Sequence, residues 1–211
     1  MPRLREPASL GQLPDSRPGQ ALRHLLAGNE RFAVGPPEQW QVGAVRPPEV
    51  AGSQQPFALV LGCFDSRVPP ELVFDCCLGD LLVVRTAGHV IDRAVLGSIQ
   101  LGARELQIPL IVVLGHQRCA AVTAAVAAVE GQARPPTDEP GYLLRRIKPA
   151  VRIGKRLPGD TVANAVDANA KMVADGIATE PMIARRVSQG TLAVVAARYD
   201  LDTGRVGLLT S

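Results

Sequence analysis

The chain has 211 residues, of which 46% are hydrophobic and 20% charged. That is enough apolar material for one domain with a full core, so neither disulfides nor a metal is needed merely to fold it. Basic and acidic residues nearly balance (23 against 20, net +3), and aromatics make up 3%, a composition that does not suggest a nucleic-acid partner.

Residues 1–20 read as an N-terminal tail that mixes Arg, Pro and Asp without the apolar core of a signal peptide. Apolar runs fall well short of the roughly 20 residues of a membrane span. The expectation is a soluble, cytoplasmic protein with no membrane partner, in which residues 21–211 form a single domain. In such a reducing compartment Cys63, Cys76, Cys77 and Cys119 are ligands, nucleophiles or core filler rather than disulfides.

Leu22, Leu25, Leu26 and Phe32 recur near helical spacing among charged residues, predicting an amphipathic helix, an N-terminal helical arm, over 21–32. Residues 35–56 are rich in Pro, Gly and Gln. They make a connection longer than the roughly 12–15 residues usual for a plain loop, so it is expected to be ordered by contact, with another subunit as one candidate. From there strands and helices alternate. Strands are expected at 57–61, 81–84, 109–114 and 191–197, and helices at 68–75, 94–106, 120–129, 142–156, 161–179 and 180–189. Residues 198–204 turn the chain and 206–209 return as a short antiparallel strand. The fold class is therefore α/β: a central, mainly parallel four-stranded sheet with an antiparallel edge strand, flanked by helices. No repeat or linker divides it.

Ligands of open α/β sheets bind beyond the carboxyl ends of the strands. Cys63 follows one apolar strand and a Gly. His116 and Cys119, three residues apart, follow another. Taken singly, a buried Cys is usually core filler and a His a capped or core residue. Together the three form a Cys₂His set suited to zinc, with a fourth tetrahedral position left over as in catalytic sites. Asp65 either takes that position or pairs with Arg67, which in extended chain faces the same way. His89 follows another strand end and is either a loop residue or a proton carrier. Cys76 and Cys77, adjacent in sequence, cannot both reach one metal without strain and are assigned as filler.

The run Cys63-Phe64-Asp65-Ser66-Arg67-Val68-Pro69, together with Gly115-His116-Gln117-Arg118-Cys119, resembles the signature of the β-class carbonic anhydrases. The likeness continues in residues 26–32, 79–88 and 199–204. The resemblance implies zinc on Cys63, His116 and Cys119, Asp65 paired to Arg67, and reversible hydration of carbon dioxide to bicarbonate and a proton. It also implies a homodimer or a higher assembly such as a homotetramer, with the site near the subunit interface. Gln54 would then bind substrate from the neighbouring subunit, and Leu82, Ala87 and Leu101 would line an apolar pocket.

The sequence departs from the family pattern in several places. Ala120 stands where Gly is usual, Gln100-Leu101 where many members have Glu-Tyr, and Leu82 where Phe is frequent. Val60 replaces the tryptophan of the form in which the aspartate closes onto zinc. The resemblance then implies an open site, with water as fourth ligand and no cooperative inhibition by bicarbonate. Two rival readings are a carbonyl sulfide or carbon disulfide hydrolase on the same fold, and a non-enzymatic zinc or thiol-redox protein.

Overall fold

A computed structural model describes residues 15–36, 47–134 and 136–210. Five strands, β1 (Ala58–Cys63), β2 (Leu81–Thr86), β3 (Leu110–His116), β4 (Ala193–Tyr199) and β5 (Val206–Leu208), form one sheet in the order β2-β1-β3-β4-β5. The first four run parallel and β5 is antiparallel to β4. Every residue of β1 and β3 is buried, as their continuous Val, Leu and Ile content requires of strands covered on both faces.

The helices are α1 (Arg17–Val34), α2 (Pro47–Val50), α3 (Pro70–Val73), α4 (Arg93–Glu105), α5 (Ala120–Val129), α6 (Glu139–Gly154), α7 (Thr161–Ala178) and α8 (Pro181–Ser188). Strand alternation sorts the core. Val60, Leu110, Val112 and Leu114 point to one face, beneath Leu22, Leu25 and Leu26 of α1 and Val73 of α3. Leu59, Leu61, Ile111 and Val113 point to the other, against Ile99 of α4, Ile177 of α7 and Ile183 of α8. A third cluster, from α5, α6 and α7, packs around Cys63 and Cys119.

One expectation needs correction. Helix α1 begins at Arg17, inside the segment taken as tail, because Ser16 caps it by accepting from the Gly19 N–H at 3.2 Å and Pro18 suits a first turn. The apolar face expected for α1 packs inward, with Leu22, Leu25 and Leu26 buried in the sheet's own core. Residues 1–14 and 37–46 lie outside the described residues, and with them most of the expected tail and part of the long connection.

The segments 26–32 and 199–204 meet. Buried Asn29 donates to the carbonyls of Val73 (3.0 Å) and Gly204 (2.9 Å) and accepts from the Val206 N–H (2.7 Å). One side chain thereby joins α1, α3 and the β4–β5 turn. Gly28 allows the approach, because a Cβ there would lie 1.9 Å from the Phe74 carbonyl oxygen.

Candidate metal centre

The chain adds β2 on one side of β1 and β3 on the other, so the crevice between the carboxyl ends of β1 and β3 is the point where strand order reverses. Cys63 is the last residue of β1 and His116 the last of β3. Cys119 immediately precedes α5. The three ligand atoms lie within 4.8 Å of one another, and all three residues are buried.

The donor set fits a metal on several counts. The two sulfurs are 3.9 Å apart, close to the ~3.8 Å separating two thiolates at about 2.3 Å from a tetrahedral zinc and far from the ~2.04 Å of a disulfide. His116 Nδ1 lies 2.8 Å from the Gln117 carbonyl, so it carries the proton and donates there. Nε2 is left with its lone pair, buried and without a hydrogen-bond partner. An unpartnered buried nitrogen is costly, and a cation is the partner that this nitrogen and two facing sulfurs share. None of the four cysteines is in a disulfide.

Charge at the sulfurs points the same way. Cys63 is lowered to about 4, mainly by the hydrogen bond from Cys119, with the N–H groups of Asp65 and Gly88 also directed at its sulfur. Cys119 is pushed well above the ordinary thiol range by its bond to Cys63 and by burial, against the pull of the Ala121 and Val122 N–H groups at the start of α5. Without a cation, one sulfur ionises at the expense of the other. A metal between them removes that conflict. Cys76, by contrast, is buried against the Phe74 carbonyl and pushed up to about 12 by desolvation, away from the cluster.

Asp65 sits at the rim. Its Oδ1 accepts from Arg67 Nε (2.9 Å) and the Arg67 N–H (3.0 Å), and its Oδ2 from Arg67 Nη2 (2.8 Å). Arg67 holds the carboxyl far below its usual range, so Asp65 is ionised and accepts only. Oδ2 lies 4.0 Å from His116 Nε2, beside the metal ligands yet engaged by Arg67.

Two supports for this centre were assigned no role from the sequence. Gln117 donates to Asp200 Oδ2 (2.7 Å) and accepts from the Leu201 N–H (3.1 Å), which ties the His116–Cys119 loop to the turn after β4. Asn169 of α7 donates to the Gly88 carbonyl and to His89 Nε2, both at 2.9 Å. His89 is 1% exposed and lowered to about 4 by burial, so near neutrality it is an uncharged acceptor for Asn169.

The pocket residues separate. Ala87 follows β2, whose last residue pairs with Cys63, and so flanks the centre. Leu82 pairs with Leu59, four residues earlier, roughly 13 Å along the strand at about 3.3 Å per residue, and packs against Gly102 of α4. Leu101 is on the same helix, 55% exposed. Gln54 is exposed before β1, at the opposite end of that strand from Cys63. Within one chain, Leu82 is held away from the ligands, and Gln54, expected to act at a neighbouring subunit's site, lies away from its own.

An open, mainly parallel sheet with a Cys-His-Cys cluster at its switch point defines an α/β protein with, among the described residues, one cluster able to hold a metal. The family model for carbonic anhydrase matches residues 58–206. Carbonic anhydrase 2 of Mycobacterium tuberculosis is 40% identical over 203 residues, covering 93% of this chain and 95% of its own length. A carbonic anhydrase of Mycolicibacterium smegmatis is 40% identical over 200 residues with the same coverage. Among solved structures, a tetrameric β-carbonic anhydrase of the ascomycete Sordaria macrospora, 20% identical, aligns with a TM-score of 0.70 over 91% of this chain and 98% of its own, a likeness of fold. The chain belongs to the carbonic anhydrase family, in its β class. The reaction of that family is the reversible hydration of carbon dioxide to bicarbonate and a proton.

Proposed function

We propose that the carbonic anhydrase reaction of this chain runs on one zinc ion held by Cys63 Sγ, His116 Nε2 and Cys119 Sγ. The observation that carries this reading is the buried, partnerless His116 Nε2 facing two sulfurs 3.9 Å apart. Two thiolates and a neutral imidazole favour zinc over harder cations. Bound there, zinc supplies a nucleophile at neutral pH by lowering the pKa of water to about 7, carbonic anhydrase itself being the standard instance of the effect and the source of that value.

The chain's residues orient the reaction. Asp65, ionised and acceptor-only, holds the O–H of the nucleophile toward itself and turns a lone pair toward the carbon of carbon dioxide. Arg67 keeps Asp65 charged and aimed, through its paired N–H donors. Engaged by Arg67, Asp65 would be kept from ligating a metal held by Cys63, His116 and Cys119, leaving room for water beside them. Ala87 supplies apolar wall on the same chain. Gln54, Leu82 and Leu101 serve the site of a second copy, a reading supported by the distance of Gln54 and Leu82 from their own Cys63. The working unit is then a homodimer or a higher assembly. His89 acts as a fixed support and not as a carrier, in keeping with its burial and its bond to Asn169.

Metal content and carbon dioxide hydration measured on one preparation test this reading. The wild-type chain should carry about one zinc per chain. Cys119→Ser should lose zinc and activity together, and a Cys119→Ser variant that kept stoichiometric zinc would refute the ligand set.

A further inference from the structure

Arg85, next to last in β2, is not accounted for by the roles assigned above. Arg31, Arg67, Arg118, Arg198 and Arg205 each face a carboxylate. Arg85 instead donates from Nε to the Cys63 carbonyl at 2.8 Å and from Nη2 to the Asp65 carbonyl, and it pairs with no acid among the described residues. Its guanidinium is directed wholly at two backbone oxygens, one on a metal ligand and the other on Asp65.

These oxygens need a donor for a structural reason. The β1–β3 register ends at Gly62 opposite Leu114, one residue short of Cys63. The last ladder bond toward β2 runs from the Phe64 N–H to the Thr86 carbonyl at 3.1 Å. Beyond it the chain leaves the sheet, and the Asp65 carbonyl keeps one backbone partner, the Val68 N–H at 3.1 Å. Arg85 fills the remaining acceptor sites. A planar fork with fixed donor directions cannot serve both oxygens unless the peptides that bear them hold one orientation. The Asp65 N–H between those peptides is directed at the Cys63 sulfur, so all the peptide groups flanking Phe64 and Asp65 are fixed.

We propose that Arg85 is a positioning residue for the reaction: it clamps the turn from Cys63 to Asp65 and so presents the Asp65 carboxylate to Arg67 at the mouth of the site. It touches neither metal nor substrate in this account. The proposal rests on the role of Asp65 in the function proposed above, and the test separates the two.

Arg85→Ala, Asp65→Ala and the double variant, each as the full metal-loaded chain, are compared for metal stoichiometry, rate of metal loss to a chelator, kcat and KM. Arg85→Ala should keep one metal per chain, lose it to the chelator within about threefold of the wild-type rate, and lose kcat about 10- to 100-fold with KM little changed. Ethylguanidine added to the solution should restore part of that loss. Because Arg85 acts through Asp65, adding Arg85→Ala to Asp65→Ala should cost less than about threefold more. Losses that multiply in the double variant, loss of metal from Arg85→Ala, or unchanged kcat would each overturn the proposal. If Asp65→Ala is fully active, the role of Asp65 falls and the proposal with it. If Asp65→Ala is impaired and the losses multiply, the proposal falls alone. Should Arg85→Ala fail to fold, Arg85→Lys enters the same cycle under the same criteria, since an ammonium keeps the charge without the fork.

Discussion

Replacing Gly88 by Ala should destabilise the protein from the β2 side of the metal centre. Gly88 has φ 59° and ψ 28° and is buried. Its carbonyl accepts from Asn169 and its N–H is directed at the Cys63 sulfur. An L-residue in this left-handed conformation costs about 1–2 kcal/mol. The new Cβ would stand 2.8 Å from Ile147 Cδ1 and 3.3 Å from Ala121 Cβ. Overpacking of that kind costs about 1–3 kcal/mol, toward the low end here because Cδ1 is the free tip of its side chain. The sum is about 2–4 kcal/mol out of a total of about 5–15, equivalent to a fall of about 5–15 °C in Tm for a chain of this length.

Urea unfolding of the metal-free protein reads the change directly, without added stability from bound metal. The steric share is separable, because Ile147→Val removes Cδ1. In the double variant the Gly88→Ala cost should shrink by roughly 1 kcal/mol, leaving the conformational share. A Gly88→Ala protein within about 0.5 kcal/mol of wild type, or costs that simply add with Ile147→Val, would show that this turn is not held as tightly as the argument requires.

Two further outcomes bear on the chemistry. Asp65→Ala and Arg67→Ala should each lower kcat/KM at least about 100-fold, with the double variant little worse than the worse single one. Costs that add in free energy would mean the two act independently. Zinc added to the metal-free chain at pH 7 should release about one proton per chain, since Cys63 is already ionised and Cys119 is not. The lowered Cys63 stabilises the folded chain above the ordinary thiol pKa, and that contribution is lost as pH falls toward about 4. Calorimetry in buffers of different ionisation enthalpy counts the protons, and a value near two would mean Cys63 starts as a thiol.

The sequence made β1 and β3 legible because strands covered on both faces are continuous in Val, Ile and Leu, and each breaks at a ligand. The ligands themselves were legible as a soft-donor set at strand ends. The start of α1 was obscured by Pro18 and Gly19, which look like tail until Ser16 is recognised as the cap. Arg85 and Gln117 fall within segments of the resemblance but had no role legible from local spacing, and Asn169 had no signal at all. Their bonds span 20–22, 83–84 and 80–81 positions and obey no local spacing, since a side chain reaching a distant carbonyl leaves no periodicity. The resemblance named Gln54 and Leu82 as substrate residues, and the register sets both far from Cys63 on their own chain. The resemblance already assigned Gln54 to a neighbouring subunit, and the separation of Leu82 from Cys63 is legible only in the fold.

The motifs that lie outside the metal centre have a physical connection to it. His116 is fixed by its bond to the Gln117 carbonyl, and the Gln117 side chain is held by Asp200 and the Leu201 N–H. Asp200 also accepts from the N–H groups of Asp202 and Thr203, which shapes the turn whose Gly204 carbonyl is bound by Asn29 of α1. Each bond satisfies a polar group at the edge of regular structure, where the ladder no longer supplies a partner. A change at any point frees the next group along. Segments 26–32 and 199–204, distant in sequence from the ligands, therefore belong to the same device as Cys63, His116 and Cys119. A resemblance spread over the whole chain is in this sense a resemblance of one site together with the scaffold that aims it.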